Sequence, residues 1–376
     1  MAEPFKNWID AALVDTAAAH LARAWRGFPR QRFVQLATTG LTARELKGRV
    51  QHVAAALAAT LPVDFAAAAD VIEASLAPAR DDTELKALQP GPAGLAGWIV
   101  WPLTEFVAAR GLPHPERALA ALHALTQRLT AEFGLRPFLV AHEALTFATL
   151  QRWVRDPSPH VRRLVSEGSR PRLPWGLRLQ RLCVDPSPTL PLLRELQDDP
   201  SDYVRRSVAN HLNDIAKDHP AVVAQWLEQH LPTASPARLA LLQHASRTLI
   251  KRGDRAVLRA FGLDRPLRGT ADLVVDPRRV ARGAAMQLTA TLGSAAKSPQ
   301  RLVVDYVVHH RKANGTTSAK VWKGWAITLE PGATVVLQKR HSWRPVTTRT
   351  DHPGEHRVEL QANGAVVAAA TFTLLA

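Results

Sequence analysis

The segment DPSPHVRRLV at residues 156–165 recurs as DPSDYVRRSV at residues 199–208, and this internal repeat decides the fold of the chain. The two copies are 43 residues apart and agree at seven of ten positions. A period of about 40 to 47 residues, with a helix that starts near a proline, is typical of HEAT and armadillo-like arrays. Each helix pair in such an array buries its apolar face only by stacking on its neighbours. The repeat therefore predicts an α-solenoid of HEAT-like repeats.

The sequence around the repeat has the same helical character from residue 1 to about residue 263. It is rich in Ala and Leu, with apolar residues spaced three and four apart. Prolines interrupt this pattern at intervals, which predicts a series of short helices. These prolines include Pro62, Pro113, Pro157, Pro200, Pro220 and Pro232.

The character of the sequence changes beyond Pro266. Alternating β-branched stretches such as residues 302–308 and 334–337 are separated by turn clusters, including Asn314-Gly315 and Pro353-Gly354. About seven strands in roughly 110 residues suggest an immunoglobulin-like β-sandwich. We therefore predict a multidomain α plus β protein, with a HEAT-like repeat domain at residues 1–265 and a β-sandwich domain at residues 266–376.

The charge balance points to a polyanionic partner. The chain carries 48 Lys and Arg against 33 Asp and Glu, a formal net charge of +15, and residues from Leu267 onward contribute 15 basic and 7 acidic residues, a net +8. An Arg-rich genome would also give a basic chain, and scattered solubilising charges are an equal alternative for the β-domain. Because Cys183 is the only cysteine, an intrachain disulfide and a Cys-rich zinc site are both excluded. Without a membrane-spanning apolar run, we expect a cytoplasmic protein.

The repeated helices place polar residues on a common face. In the second copy, Val204, Val208, Leu212 and Ile215 recur at helical spacing and are expected in the core. Another stripe carries Arg206, Asn210, Asp214 and Lys217, and in the first copy Arg163 and Glu167 correspond to Arg206 and Asn210. Arginines in a row suit the regularly spaced phosphates of a duplex, although each could instead pair with a neighbouring acid.

Acids among phosphate-binding arginines require a separate explanation, because they repel the anion that the surface attracts. Glu167 could form a salt bridge to Arg163 or Arg170. Alternatively, it could stabilise a cation, such as an alkylated base or the oxocarbenium-like sugar that forms when an N-glycosidic bond breaks. Asp214 is open to the same two interpretations.

A compact loop with the sequence GSRPRLPW follows Glu167 and ends at Trp175. Tryptophan offers a strong cation–π face and packs against sugar C–H groups, so it could hold a cationic lesion. It could equally cap the core between repeats.

Two segments carry a family resemblance. SEGSRPRLPW at residues 166–175, together with VRRSVANHLNDIAKDHP at residues 204–220, resembles the AlkC family of bacterial DNA alkylation repair proteins. The resemblance covers residues 1 to about 263 and is strongest from His160 to Pro220. Some members of this family also carry an immunoglobulin-like C-terminal domain that helps to enclose DNA.

The resemblance implies a monomeric, nucleoid-associated DNA glycosylase that excises cationic N-alkylated bases, chiefly 3-methyladenine and also 3-methylcytosine. It implies no metal or redox cofactor, no membrane, and double-stranded DNA with alkylated bases as the partner. The lesion is expected to stay in the duplex, unlike in glycosylases that flip the base. The implied catalytic residues are Glu167, Asp214, Trp175 and, from a less distinctive stretch, Glu132.

The residues support a hypothesis for the roles. A ring-methylated base leaves as a neutral molecule, so stabilising the sugar cation and aligning water suffice. We expect Asp214 or Glu167 to position water, Trp175 to pack the sugar, and Arg163 and Arg206 to hold phosphates. The predicted DNA-binding set is Arg163, Arg206, Arg170, Arg172, Asn210 and Lys217.

Two other functions remain open from the sequence. A non-enzymatic repeat scaffold could bind nucleic acid or protein, because a fold does not determine a function. A metal hydrolase could use His309, His310 and His341, although their spacing matches no known ligand pattern. A phosphate-binding glycine loop and a nucleophile elbow are both missing from the sequence.

Overall fold

A computed structural model describes residues 4–81, 88–346 and 350–376. Within them the chain forms sixteen α-helices followed by eight β-strands, which confirms the predicted order of a helical region and a β-domain. The helices are α1 (Ala11–Ala24), α2 (Arg30–Thr38), α3 (Leu46–Ala58), α4 (Phe65–Ser75), α5 (Val100–Arg110), α6 (Pro115–Thr126), α7 (Glu132–Ala141), α8 (Glu143–Trp153), α9 (Pro159–Gly168), α10 (Gln180–Val184), α11 (Leu190–Leu196), α12 (Asp202–Ile215), α13 (Pro220–His230), α14 (Pro236–Ala245), α15 (Arg247–Arg252) and α16 (Arg255–Ala260).

The two copies of the repeat form α9 and α12, which pack against each other. In both copies the aspartate accepts a hydrogen bond from the backbone N–H two residues later, Asp156 from Ser158 at 2.9 Å and Asp199 from Ser201 at 2.8 Å. This aspartate turn precedes each helix and directs the chain into it. The repeated DPS motif thus marks the start of α9 and of α12.

The two arginines of the repeated Val-Arg-Arg have different tasks. Arg162 donates to the carbonyl oxygens of Asp156 and Pro157, both at 2.8 Å, and Arg205 does the same to Asp199 and Pro200, at 2.6 and 2.8 Å. The first arginine of each pair therefore fastens its helix to the preceding turn. The second arginine of each pair instead binds a carboxylate, Arg163 that of Glu132 and Arg206 that of Asp202.

The predicted apolar stripe of α12 is in the core. Val204, Val208, Leu212 and Ile215 are at most 1% exposed. Burying an apolar side chain of this size stabilises the fold by roughly 1.5 to 3 kcal/mol. Their burial fixes which way the polar stripe of the same helix can face.

The β-domain is a sandwich of two sheets with a shared core. The strands are β1 (Gly269–Asp276), β2 (Arg279–Val280), β3 (Ala285–Ser294), β4 (Gln300–Arg311), β5 (Thr317–Leu329), β6 (Thr334–Ser342), β7 (Gly354–Ala362) and β8 (Ala365–Leu374). One sheet has the order β1-β3-β6 and the other has the order β2-β8-β7-β4-β5. All pairs are antiparallel except β2 with β8. Alternate residues of both sheets meet around Trp343, which is fully buried.

The predicted strands and turns agree with this sandwich. Residues 302–308 lie in β4, and β6 begins at Thr334. Asn314-Gly315 turns the chain between β4 and β5, and β7 begins at Gly354. The count exceeds the expected seven because the described residues include the two-residue strand β2.

The contacts divide the chain into two compact units. The first comprises residues 1–218 and 236–241, and the second comprises residues 219–235 and 242–376. The second unit therefore includes α13, α15 and α16 besides the sandwich. The boundary at residue 265 that the sequence suggested stays a prediction.

Candidate active site

A cavity of about 690 Å³ in the first unit brings most of the predicted site residues together. Its charged wall is formed by Asp81, Glu132, Arg163, Glu167, Arg170 and Arg206. Its aromatic residues are Trp98, Trp101, Phe133, His160, Trp175 and Tyr203. Of the predicted set, Asp214, Arg172, Asn210 and Lys217 do not line the cavity.

Helices α7 and α9 meet closely at the charged wall. A side chain at Gly168, the last residue of α9, would place its Cβ atom 2.5 Å from Leu135 Cδ2 on α7. Glycine at this position lets the end of α9 lie against α7 without displacing the Leu135 side chain. This approach brings Glu167 into the same charged cluster as Glu132, at the start of α7.

Arg163 connects two acids across the wall. Its Nη1 donates to Glu132 Oε2 at 2.6 Å, and its Nη2 lies 3.5 Å from Glu167 Oε1. Its guanidinium also lies 4.9 Å above the ring of Tyr203. Burial disfavours the charge of Arg163, but Glu132, Tyr203 and Glu167 outweigh this effect and raise its pKa. Arg163 is therefore a half-buried cation whose charge is already compensated by acids of the protein, unlike an arginine that is available for a phosphate.

Glu167 is held as a carboxylate at the cavity wall. Its Oε1 accepts from Arg170 Nη1 and its Oε2 accepts from Ser207 Oγ, both at 2.6 Å. Burial would raise the pKa of Glu167, but the charges of Arg163 and Arg170 prevail and lower it. Both salt bridges considered for this residue from the sequence are present, which supplies its structural role. They also keep a negative charge beside the cavity.

Asp214 lies behind Arg170. Its side chain is 2% exposed, and it accepts from Arg170 Nε and Lys217 Nζ, each at 2.8 Å. Arg170 thus bridges Asp214 and Glu167 with two different nitrogens. Asp214 reaches the cavity only through Arg170 in this arrangement, because Arg170 lies on the wall and Asp214 does not.

Trp175 projects from the loop after α9. It has a φ of 64°, a left-handed conformation that a bulky side chain rarely adopts, and it is 71% exposed. Since so much of the residue is in solvent, it does not cap the core between repeats, which was the structural alternative for it. Strained exposed residues of this kind are found mainly at functional sites.

The remaining predicted residues divide between the cavity mouth and the surface beyond it. Arg206 has a side chain 65% exposed and pairs with Asp202 at 2.5 Å. Arg172 instead forms two 2.7 Å bonds to Asp218. Asn210 is half-buried on α12, and Lys217 is bonded to Asp214. Only Arg206 of these four is on the cavity.

Apart from Trp175, the sequence analysis did not single out the aromatic residues of the cavity. Trp98 and Trp101 come from the segment that begins α5, and Tyr203 comes from α12. Tyr203 occurs within the repeat at the position of His160, and the two rings meet at 5.8 Å. That shared position was the one available signal, because the other aromatics look like core residues in the sequence.

The histidines considered for a metal hydrolase do not form a metal site. His309 lies 3.0 Å from Glu359, and His310 lies 3.1 Å from Asp351. His341 Nδ1 lies 3.2 Å from the Tyr306 hydroxyl. Residues 4–81, 88–346 and 350–376 contain no group of three side chains that could hold a metal ion. Nor does any helix in these ranges have the length and apolarity to span a bilayer.

A buried histidine beneath the acids should make folding pH-dependent. His211 is fully buried, with Nδ1 2.9 Å from the Ser166 carbonyl oxygen, which can only accept and so places the proton on Nδ1. Burial lowers the pKa of His211 from 6.5 to about 4. The unfolded chain binds the second proton of the ring, on Nε2, more readily than the folded protein does. We therefore expect the free energy of unfolding to be at its full value above pH 6.5 and to fall as the pH drops towards 4.

Acidification should lower the free energy of unfolding by about 3 kcal/mol through His211. Denaturant unfolding at pH 7 and pH 4 would measure this loss against the His211→Asn variant. The variant should be less stable at pH 7 but should lose less stability on acidification. Equal losses in the two proteins would contradict the assignment.

Comparisons with known proteins cover the whole chain. Residues 269–376 match a family model described as the C-terminal Ig-like domain of the uncharacterised protein YhaZ, which confirms the immunoglobulin-like character of the sandwich. The uncharacterised protein YhaZ of Bacillus subtilis is 34% identical over 367 residues, with 96% of each chain covered. A solved structure is similar over 100% of both chains, with a TM-score of 0.91 and 34% identity. It is the Pseudomonas fluorescens alkylpurine DNA glycosylase AlkC, bound to DNA that contains an abasic site analogue.

Proposed function

Because the chain belongs to the AlkC family of alkylpurine DNA glycosylases, we propose that it hydrolyses the N-glycosidic bond of alkylated bases in double-stranded DNA. The observation that carries the proposal is the ionised Glu167 beside a cavity with aromatic walls. Such a group offers negative charge where a positive charge would develop. The family membership turns this general property into a specific reaction.

The proposed reaction fits cationic lesions, 3-methyladenine first and 3-methylcytosine second. The bond between C1′ and the ring nitrogen breaks, and its electron pair neutralises the base. A water oxygen then bonds to C1′ and releases a proton to solvent. Glu167 stabilises the intermediate sugar cation, while Asp214 shares Arg170 with Glu167 and offsets part of the positive charge of that arginine.

The geometry favours a different role for Arg163 from the one that the sequence predicted. Arg163 is compensated by Glu132 and Glu167, so we assign it to holding these acids in place rather than to binding phosphate. Glu132 contributes negative charge at the same wall. Arg206 is exposed at the cavity, and it keeps its role as a phosphate contact.

We further propose that the lesion stays in the duplex. Trp175 is mostly exposed, so it can pack against a sugar at the surface of the DNA without enclosing a base. A 2-aminopurine beside the lesion would report extrusion as a rise in fluorescence on binding, because unstacking relieves its quenching. We expect no such rise, and a large one would contradict this part of the proposal.

The direct test of the function is incubation with methylated genomic DNA, followed by identification of the released bases. We expect free 3-methyladenine before any neutral base. Binding without any release would favour the alternative, a non-enzymatic scaffold. Sedimentation of the complex would test the monomeric state that we propose, and imaging in cells would test the nucleoid location.

The exposed arginine at the cavity gives a prediction about salt. We expect Arg206→Gln to weaken binding to duplex DNA of any sequence and to reduce the slope of log K against log salt concentration by about 1. Fluorescence anisotropy across a salt series would measure this slope. Arg155→Gln is the matched control, because Arg155 is similarly exposed and paired with an acid but does not line the cavity. An unchanged slope for Arg206→Gln would exclude a phosphate contact.

A further inference from the structure

One arginine outside the cavity binds both ends of the loop that carries Trp175. Arg136 lies on α7 and is fully buried. Its Nη1 donates to the Gly168 carbonyl oxygen at 2.8 Å, and its Nε donates to the Leu177 carbonyl oxygen at 2.5 Å. These two carbonyls lie on either side of the Trp175 loop. A single rigid guanidinium therefore fixes the distance between the two ends of the loop.

The side chain of Arg136 also supports the loop from below. A Cβ atom at Gly176 would lie 3.3 Å from Arg136 Cδ and Nε and 3.0 Å from Leu173 Cδ2. The backbone after Trp175 therefore rests closely on the arginine side chain. Two backbone hydrogen bonds cross the loop as well, from Gly176 to Leu173 at 3.2 Å and from Leu179 to Pro171 at 3.1 Å.

The conformation of Trp175 needs such support. A left-handed backbone at a residue other than glycine costs roughly 1 to 2 kcal/mol. The Trp175 side chain is largely in solvent, so its own packing does little to offset this cost. The surrounding loop must impose the conformation, and Arg136 bonds to the residue directly after Gly176.

Arg136 is a costly residue to keep for packing alone. Burial, together with the charge of Arg170, lowers the pKa of Arg136 to about 10. Its Nη2 has no hydrogen-bond partner within the described part of the chain. An aliphatic side chain would fill the same space without these penalties. The retained guanidinium is therefore best explained by the two carbonyls that it binds.

We propose that Arg136 is a positioning residue that holds Trp175 in place against the cavity and so sets the rate of base release. This inference rests on the proposed function, since it assigns Arg136 a role only through Trp175. Displacing a group at an active site by about 1 Å can cost 10²-fold in rate.

The test is a double-mutant cycle between Arg136 and Trp175. We expect Arg136→Met to lower the single-turnover rate of base release by about 10- to 100-fold. In a Trp175→Ala background the same change should lower the rate by less than about threefold, because the residue that Arg136 positions is already gone. Equal losses in both backgrounds, or a wild-type rate for Arg136→Met, would overturn the proposal.

Two further variants separate positioning from general damage. Arg136→Lys keeps the charge but cannot bind both carbonyl oxygens in the same way, so it should also lower the rate of base release. It replaces Arg136→Met in the test if that variant does not fold. Arg49→Met is the matched control, because Arg49 is also buried and donates to the carbonyl oxygens of Lys6 and Ile9, outside the cavity. It should lose stability while the rate per folded molecule is unchanged.

A readout without catalysis distinguishes this proposal from the proposed function. In protein labelled with 5-fluorotryptophan, the resonance of Trp175 can be assigned by its absence from Trp175→Phe. We expect Arg136→Lys to shift and broaden this resonance. If the wild-type protein released no base, the proposed function would fail, but this shift would still report that Arg136 orders the loop. An unmoved Trp175 resonance would overturn the positioning role whatever the activity.

Discussion

Replacing Glu167 with glutamine is expected to lower the rate of base release by about 10²- to 10³-fold, the usual effect of removing one group that stabilises a developing charge. Arg170 Nη1 and Ser207 Oγ donate to different oxygens of Glu167, each at 2.6 Å. Glutamine has nearly the same shape: its amide oxygen can still accept from Arg170, and its NH2 group can donate to the Ser207 hydroxyl. The change therefore removes the charge with little change in geometry. Single-turnover assays on DNA with 3-methyladenine would measure the rate.

Adding Asp214→Asn to Glu167→Gln should abolish release while largely sparing DNA binding. Both acids pair with Arg170, so the double variant leaves that arginine without a carboxylate. Breaking a buried ion pair costs about 3 to 5 kcal/mol of stability, and thermal unfolding must therefore accompany the assay. Full excision by the double variant would refute the assignment of these acids.

A buried acid elsewhere provides the control for lost stability. Asp199 is paired with Arg162 at 2.6 Å and lies outside the cavity. Asp199→Asn should destabilise the fold by a comparable amount, with the rate of base release per folded molecule retained. A similar loss of activity in this variant would show that instability alone explains the effect of Glu167→Gln.

The second large effect is expected at Trp175, where stability and activity should change independently. Asparagine tolerates the left-handed conformation better than tryptophan, and the exposed indole contributes little packing. Trp175→Asn should therefore unfold at the same denaturant concentration as the wild type, or higher, and release base about 10- to 100-fold more slowly. In the proposed function, this loss is that of the contact between Trp175 and the sugar.

Trp175→Phe tests whether the contact needs an aromatic face. It retains part of the apolar surface, so we expect a rate between those of Trp175→Asn and the wild type. Chemical denaturation and single-turnover release on the same preparations would compare the three proteins. A Trp175→Asn variant with full activity would remove Trp175 from the site.

The sequence predicted the helices and the acids because both follow from local patterns. The 43-residue repeat locates α9 and α12, and helical spacing puts Val208 in the core. Asp214 and Glu167 then follow at known offsets on their own helices. The structure adds that Arg170 binds both acids. The bond between Arg170 and Asp214 could not be predicted from helical spacing, because these two residues are 44 positions apart.

Other parts of the site depend on long-range packing and were not predictable. The contact of Arg136 with Leu177 crosses 41 residues, and in the sequence Arg136 looks like a surface residue of an ordinary helix. The stripe of α12 was expected to point in one direction, but burial of Asp214 behind Arg170 separates it from Arg206. Periodicity shows which residues share a face but not how deep a neighbouring loop will bury them.

In the proposed reaction, the arginines that keep Glu167 ionised also limit the lesions from which this site could release a base. A carboxylate with a lowered pKa has no proton to give, so it cannot assist the departure of a base that needs protonation. On this proposal, only a base that already carries a positive charge is a good leaving group. Selectivity would come from the reactivity of the lesion rather than from the fit of a pocket, and normal purines would be spared because they depart too slowly.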